Sequence, residues 1–295
     1  PHKPPTTRRQ RQMCIRDRDG SDVQEFSKAM QIACQGADTS LASTENLHFF
    51  QNIEGYNTTR LGWGTPGAKP ATLSFWVRSN VTGTYCVGLE NNAVNKTCIR
   101  EYTVNPGFKW QKVVLTFPGP TDGTWEATNS IGIRVRFCLA SGTQYDDGID
   151  GQWVSSDELT AGNQVNFVSS TNNRYFITGV QLEVGKNATD FEHRSIGEEL
   201  ALCQRYYIQA NTAAAGNPLL YFMQYSNNYR MLVADFPTTM RAAPNFQVTM
   251  GTGADSTGLN QNYNTSPNQG KAYVNVAYDS ANASWIWKYT ANAEI

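Results

Sequence analysis

No run of eighteen apolar residues occurs in this 295-residue chain, so no membrane-spanning helix and no membrane insertion are expected. Charge is scarce as well. Asp, Glu, Lys and Arg make up 17% of the residues, below the usual quarter, and they nearly cancel to a net −1. A nucleic-acid partner therefore finds no electrostatic footprint. The three histidines are His2, His48 and His193. No G-x-S-x-G elbow, H-E-x-x-H, P-loop or G-x-G-x-x-G pattern accompanies them. The six cysteines, Cys14, Cys34, Cys86, Cys98, Cys138 and Cys203, include no C-x-x-C pair, which argues against zinc. Collagen-like Gly-X-Y runs and fixed-period repeats are also missing.

Aromatic residues, by contrast, reach 12%, enough with this length for one large or two moderate cores. The few charges leave Asn, Thr, Ser, Gln and Gly to make the surface, as in extracellular β-proteins. The first eighteen residues stand apart. Lys3, Arg8, Arg9, Arg11, Arg16 and Arg18 face one acid, Asp17, a balance of +5, so the remaining chain carries −6. With no apolar h-region this is not a signal peptide. Its rival readings are a basic arm and a disordered start. Arg9 to Arg18 resembles the conceptual translation of a sequencing adapter, and residues 1–19 are set aside.

From about residue 20 to 193 the pattern is strand, turn, strand. Leu73, Phe75 and Val77 share one face of a strand. Gly83 to Leu89 and Thr97 to Val104 read as a hairpin, across which Cys86 and Cys98 are candidates to approach each other. Trp110 to Phe117 and Ile131 to Phe137 follow, the latter with Arg134 and Arg136 pointing outward. Short strands with Gly/Pro punctuation predict a jelly-roll-like β-sandwich, as in carbohydrate-binding modules. Val180, Leu182 and Val184 then alternate with Gln181 and Glu183, the period of a strand with one buried face. Gly185 supplies the turn after it. Ser195 and Glu198 form a capping box. Ile196, Leu200, Cys203 and Tyr207 recur at helical spacing and predict a linking helix over 194–209 whose apolar stripe must be covered. That cover is either its own sandwich or copies of itself. Beyond it, 210–295 reads as a β-rich tip, with a hairpin across Ser226–Asn228, a proline-fixed loop at 237–244 and a polar loop over 251–270.

The run Ile177-Thr178-Gly179-Val180-Gln181-Leu182-Glu183-Val184-Gly185, then Phe191 to Tyr207, resembles the segment with which tailed-phage fibre and receptor-binding proteins end a β-sandwich. Met240-Arg241-Ala242-Ala243-Pro244 is similar to a phrase of their tips, and Tyr289 to Ile295 to their C-termini. The resemblance implies a virion localisation in the tail fibre, a homotrimer, other tail proteins as partners and a host-surface glycan as ligand. It also implies a virion-attachment region upstream of this N-terminus. Virions assemble in a reducing cytosol, so free thiols are expected.

The richest polar constellation is Tyr145 to Trp153. Asp146, Asp147 and Asp150 around two glycines are candidate calcium ligands, since calcium takes several oxygens from a flexible loop. No other cofactor is expected. Tyr145 and Trp153 offer flat faces for stacking on a sugar ring. Tyr263, with Tyr221, Tyr225 and Tyr229, marks a second candidate glycan surface. The competing reading of the loop is a solvated acidic turn with Trp153 tucked into the sandwich. Paired carboxylates also raise a polysaccharide depolymerase, but nothing else in the chain supports an acid/base pair, so no catalytic residue is assigned. A fibre spacer without ligand completes the alternatives.

Overall fold

The computed structural model describes residues 13–19, 25–211, 220–221, 223–226, 229–250, 264–275 and 285–294. The chain divides between Glu192 and His193 into two compact units. The first holds β1 (Met13–Asp19), β2 (Lys28–Cys34), β3 (Asn46–Glu54), the one-turn helix α1 (Gly55–Thr58), β4 (Ala71–Ser79), β5 (Gly83–Glu90), β6 (Thr97–Val104), β7 (Gln111–Phe117), β8 (Ile131–Ser141), β9 (Trp153–Val154) and β10 (Arg174–Val184). These form two five-stranded sheets, ordered β1-β2-β10-β4-β7 and β3-β8-β5-β6-β9. The named strands all pair antiparallel. The chain is an all-β protein built on a β-sandwich. Met13–Asp19, from the segment set aside above, is its edge strand on β2.

Alternation builds the core. Leu73, Phe75 and Val77 of β4 point inward and are fully buried, as their spacing predicts. They meet Tyr85, Val87 and Leu89 of β5 and Ile133, Val135 and Phe137 of β8 in one cluster. Each such side chain contributes about 1.5–3 kcal/mol of burial. Tyr102 and Tyr175 share a 2.8 Å hydrogen bond inside it, and the Tyr85 hydroxyl donates to Val81 O at 3.0 Å.

Three expectations for this unit need correction. The face of Val180, Leu182 and Val184 is only partly buried: Leu182, opposite Leu73, packs against the core, while Val180 is 44% and Val184 47% exposed. Val180 lies unpaired in the register shift between Thr178 and Gln181, beside Gly179 with φ +60, and Val184 is the last residue of its strand. Cys86 and Cys98 do not face each other, because Cys86 pairs with Glu101 and Cys98 with Leu89. Cys98 enters the main core, while Cys86 lies in a small cluster with Cys138. Cys34, Cys86, Cys98, Cys138 and Cys203 are free thiols. Arg136 faces outward from its sheet but is buried, with Nη1 bonded to Asp157 at 2.7 Å and Nη2 to Glu158 O at 2.9 Å.

The second unit holds α2 (Ile196–Gln204), β11 (Tyr207–Asn211), β12 (Leu220–Tyr221), β13 (Met223–Ser226), β14 (Tyr229–Asp235), β15 (Asn245–Met250), β16 (Asn264–Ser266), β17 (Gln269–Asn275) and β18 (Trp285–Asn292). β18 pairs with β11, β12 and β15, and a second sheet runs β13-β14-β17-β16. Part of the expected polar loop is thus the β16–β17 hairpin; 251–263 lie outside the described residues. Met240, Ile208, Phe246 and Ala291 share a small core. The Met240 amide donates to Pro267 O at 2.7 Å and the Arg241 amide to Arg205 O at 2.8 Å. The proline-fixed loop is therefore stitched into this unit's framework.

The capping box of α2 forms in full: Ser195 Oγ accepts from the Glu198 amide, and the Glu198 carboxylate accepts from the Ser195 amide at 3.0 Å. Its apolar stripe is not covered within the single chain. Ile196 is 88% and Leu200 53% exposed, Cys203 is exposed, and the helix buries none of its residues. The helix stops at Gln204, so Tyr207 starts β11 instead of extending the stripe.

Candidate functional site

Three tryptophans converge at one place in the sandwich. Trp63 follows Gly62, Trp125 follows Gly123 by two residues, and Trp153 follows Gly151 by two. Each of these glycines has positive φ, at +61, +86 and +75. The chain reverses sharply there and throws the indole back onto the sandwich. The rings meet edge to face, with centroids 4.7 Å apart for Trp63–Trp125 and 5.3 Å for each of the other pairs. Edge-on packing sets the positive ring edge against the negative face. Every indole N–H reaches a main-chain carbonyl: Trp63 to Lys69 at 2.7 Å, Trp125 to Asp122 at 3.1 Å and Trp153 to Pro118 at 2.7 Å.

Beside the trio opens a pocket of about 110 Å³, lined by Thr58, Thr59, Trp63, Trp125 and Glu126 above Leu61 and Ile133. Its walls are tied together. The Gly55 amide donates to Ser130 O at 2.8 Å and the Tyr56 amide to Thr128 O at 3.0 Å. A Cβ at Gly55 would lie 2.5 Å from Glu126 O, so only glycine permits that approach. The Trp125 loop is braced by a 2.7 Å ion pair between Lys96 and Asp122, and by Asn91 Nδ2 donating to Thr124 O at 3.2 Å.

None of the predicted residues lines this pocket. Trp153 belongs to the trio and packs on the core. Tyr145 packs elsewhere, on the cluster of Cys86, Ile99, Cys138 and Leu159. The three acids are not gathered: among the described residues no group of three His, Cys, Asp or Glu is placed to hold a metal ion. Asp150 is engaged by Arg100 Nε at 3.0 Å and the Glu101 amide at 2.9 Å, and Asp147 offers its amide to Glu158 at 3.2 Å. Tyr263 lies outside the described residues, while Tyr221, Tyr225 and Tyr229 fall on β12, β13 and β14. Trp63 and Trp125 were missed. The glycine one or two positions before each tryptophan is the signal that could have found them.

A second polar surface lies on the outer side of the β3–β8–β5 sheet. Glu90 there is wholly buried, 2.9 Å from Arg134 and 3.3 Å from Arg136. Burial raises its carboxyl above the ordinary value, with the two arginines opposing that shift. Arg134 also donates to Asn52 at 3.0 Å and lies 5.4 Å from the ring centre of the exposed Phe50. His48 is bonded to Asn46 at 3.1 Å. His193 is exposed.

The chain matches no known family model and, by sequence, no curated protein. Among solved structures it is similar to a CBM4 structure, at 16% identity and TM-score 0.31, covering 58% of this chain and 77% of that one. It is similar to the enzymatically active domain of Bacteriophage CBA120 tailspike protein 4, at 11% and 0.32, covering 58% of this chain and 18% of that one. The tandem CBM22 domain of Paenibacillus barcinonensis Xyn10C matches at 9% and 0.29, covering 96% and 84%. Likenesses at this level transfer no residue roles.

Proposed function

We propose that the chain is a distal piece of a phage tail fibre, a virion protein that binds host-surface glycans through the tryptophan-lined pocket without catalysing a reaction. The observation that carries the glycan reading is the trio itself: indoles held edge to face beside an open pocket of about 110 Å³. Their N–H groups are already bonded to the main chain, so what the pocket receives from Trp63 and Trp125 is apolar ring surface. A pyranose ring has a complementary apolar face and a polar rim. Glu126 is the one ionisable group among the lining residues, whereas glycoside hydrolysis ordinarily uses two carboxyl groups. The tail-fibre part rests on the resemblance of Ile177–Tyr207 and Met240–Pro244.

Glycan-array binding by the full chain, displayed multivalently to gain avidity, tests the site. Trp125→Ala is expected to weaken binding about tenfold to a hundredfold, the loss typical of an aromatic anchor, with far-UV circular dichroism unchanged. Unchanged binding would remove the pocket from the proposal.

Self-association is the second part. Ile196, Leu200 and Cys203 recur at i, i+4 and i+7 on a capped helix that buries none of its residues, the arrangement of a seam between helices of neighbouring copies. Light scattering on the full chain is expected to give about three times 32.7 kDa, and Leu200→Glu a single chain mass. A monomeric parent protein would defeat the fibre assignment and leave a solitary binding module.

A further inference from the structure

The hydrogen-bonding character of the pocket is one-sided. Thr58 Oγ1 donates its proton to Gly55 O at 2.9 Å, and Thr59 Oγ1 donates to Tyr56 O at 3.2 Å. Both hydroxyls therefore turn lone pairs, not protons, toward a ligand. The Trp63 and Trp125 indole protons are committed to Lys69 O and Asp122 O. The remaining polar side chain of the lining is the Glu126 carboxylate, an acceptor, whose Oε2 has a 3.5 Å contact from Thr128 Oγ1. No lysine, arginine or histidine lines the pocket. The polar side chains of the lining thus offer acceptors while its side-chain donors are spent, so a ligand's own donors are what these side chains can take.

From this we infer that the pocket selects sugars by charge. It takes a single sugar residue rich in hydroxyl groups, prefers one carrying a free amine, and rejects one carrying a carboxylate. An ammonium group can bond Glu126 with charge assistance and lie against the Trp125 face. A carboxylate would meet a like charge and oxygen lone pairs in a partly desolvated space, with no cation to offset the cost. The volume of about 110 Å³ fits part or all of one ring, which points to a terminal residue of a glycan. This inference rests on the glycan-binding reading above.

The test compares three probes on the full chain at low salt: methyl glycosides of a hexose, of the matching 2-amino-2-deoxyhexose and of the matching uronic acid. Binding is read by saturation-transfer NMR and isothermal titration. The aminohexoside is expected to bind at least about tenfold tighter than the uronoside, the size of one charge-assisted hydrogen bond. Glu126→Gln keeps the shape and is expected to shrink that ratio to about threefold or less. Added salt is expected to narrow it in the parent protein as well. A uronoside that binds as tightly as the aminohexoside, or a ratio unmoved by Glu126→Gln, overturns charge selection while the pocket remains a sugar site. Failure of all three probes to bind, together with array signals indifferent to Trp125→Ala, overturns both the inference and the reading beneath it.

Discussion

Above about pH 9 the sandwich is expected to lose stability steeply, because its core holds phenols and thiols that must keep their protons to stay folded. Burial pushes Tyr85 from 10.0 up to about 12 and Cys86 and Cys98 from 9.0 up to about 12, and it raises Tyr102, Tyr175 and Cys138 further. Hydrogen bonding also raises Tyr102, whose hydroxyl is shared with Tyr175. In each case the folded value exceeds the unfolded one. The contribution is therefore fully present below the unfolded value and disappears as pH climbs toward the folded one. Tyr85 alone accounts for about 3 kcal/mol, most of it lost as pH rises from 10 to 12. Denaturant midpoints measured under reductant from pH 7 to 11 should be level to about pH 9 and fall increasingly beyond it. Tyr85→Phe should flatten the upper part of that fall. A level profile to pH 11 would mean that these groups titrate as if exposed.

Glu90→Ala is expected to destabilise the sandwich unit by about 3–5 kcal/mol, the usual cost of breaking a buried ion pair by removing one partner. Arg134 would keep Asn52 and Arg136 would keep Asp157, but both guanidinium groups would lose the carboxylate between them. Glu90→Gln should cost less. The amide oxygen still accepts from Arg134, and burial disfavours the negative charge there. Chemical denaturation at pH 7 separates the two variants; equal losses would mean that charge, not hydrogen bonding, holds this network.

The parts of the fold that depend on neighbours in sequence were legible. Alternation placed Leu73, Phe75 and Val77 inside, and the Ser195–Glu198 spacing gave a cap that forms in both directions. What failed depended on distant partners. Val180 falls unpaired in the bulge at Gly179 and is exposed, while the same inserted residue brings Leu182 onto the buried face of Ile177. A helical stripe reports which residues share a face but not whether anything covers them, and Leu200 is uncovered in the single chain. The acids of the 146–150 loop looked like a ligand set because their neighbours were invisible; Arg100 and the Glu101 amide, some fifty residues earlier, take Asp150. Of the tryptophan trio, only Trp153 was found, and no residue lining the pocket was. Trp63 and Trp125 lie on turns that adjoin only after the sandwich has closed.

The three left-handed glycines give the trio an unusual vulnerability map. Gly62, Gly123 and Gly151 are spread over ninety positions of the chain, yet each sets the direction of one indole. A β-branched residue at any of them strains the turn and swings a ring away from its two companions. Were the pocket proposed above placed under selection for a different sugar, the tryptophan positions would be the tuning dials and these glycines the fixed mounts. Variants with a new ligand preference should accumulate substitutions around the pocket rim, while the mounts stay monomorphic.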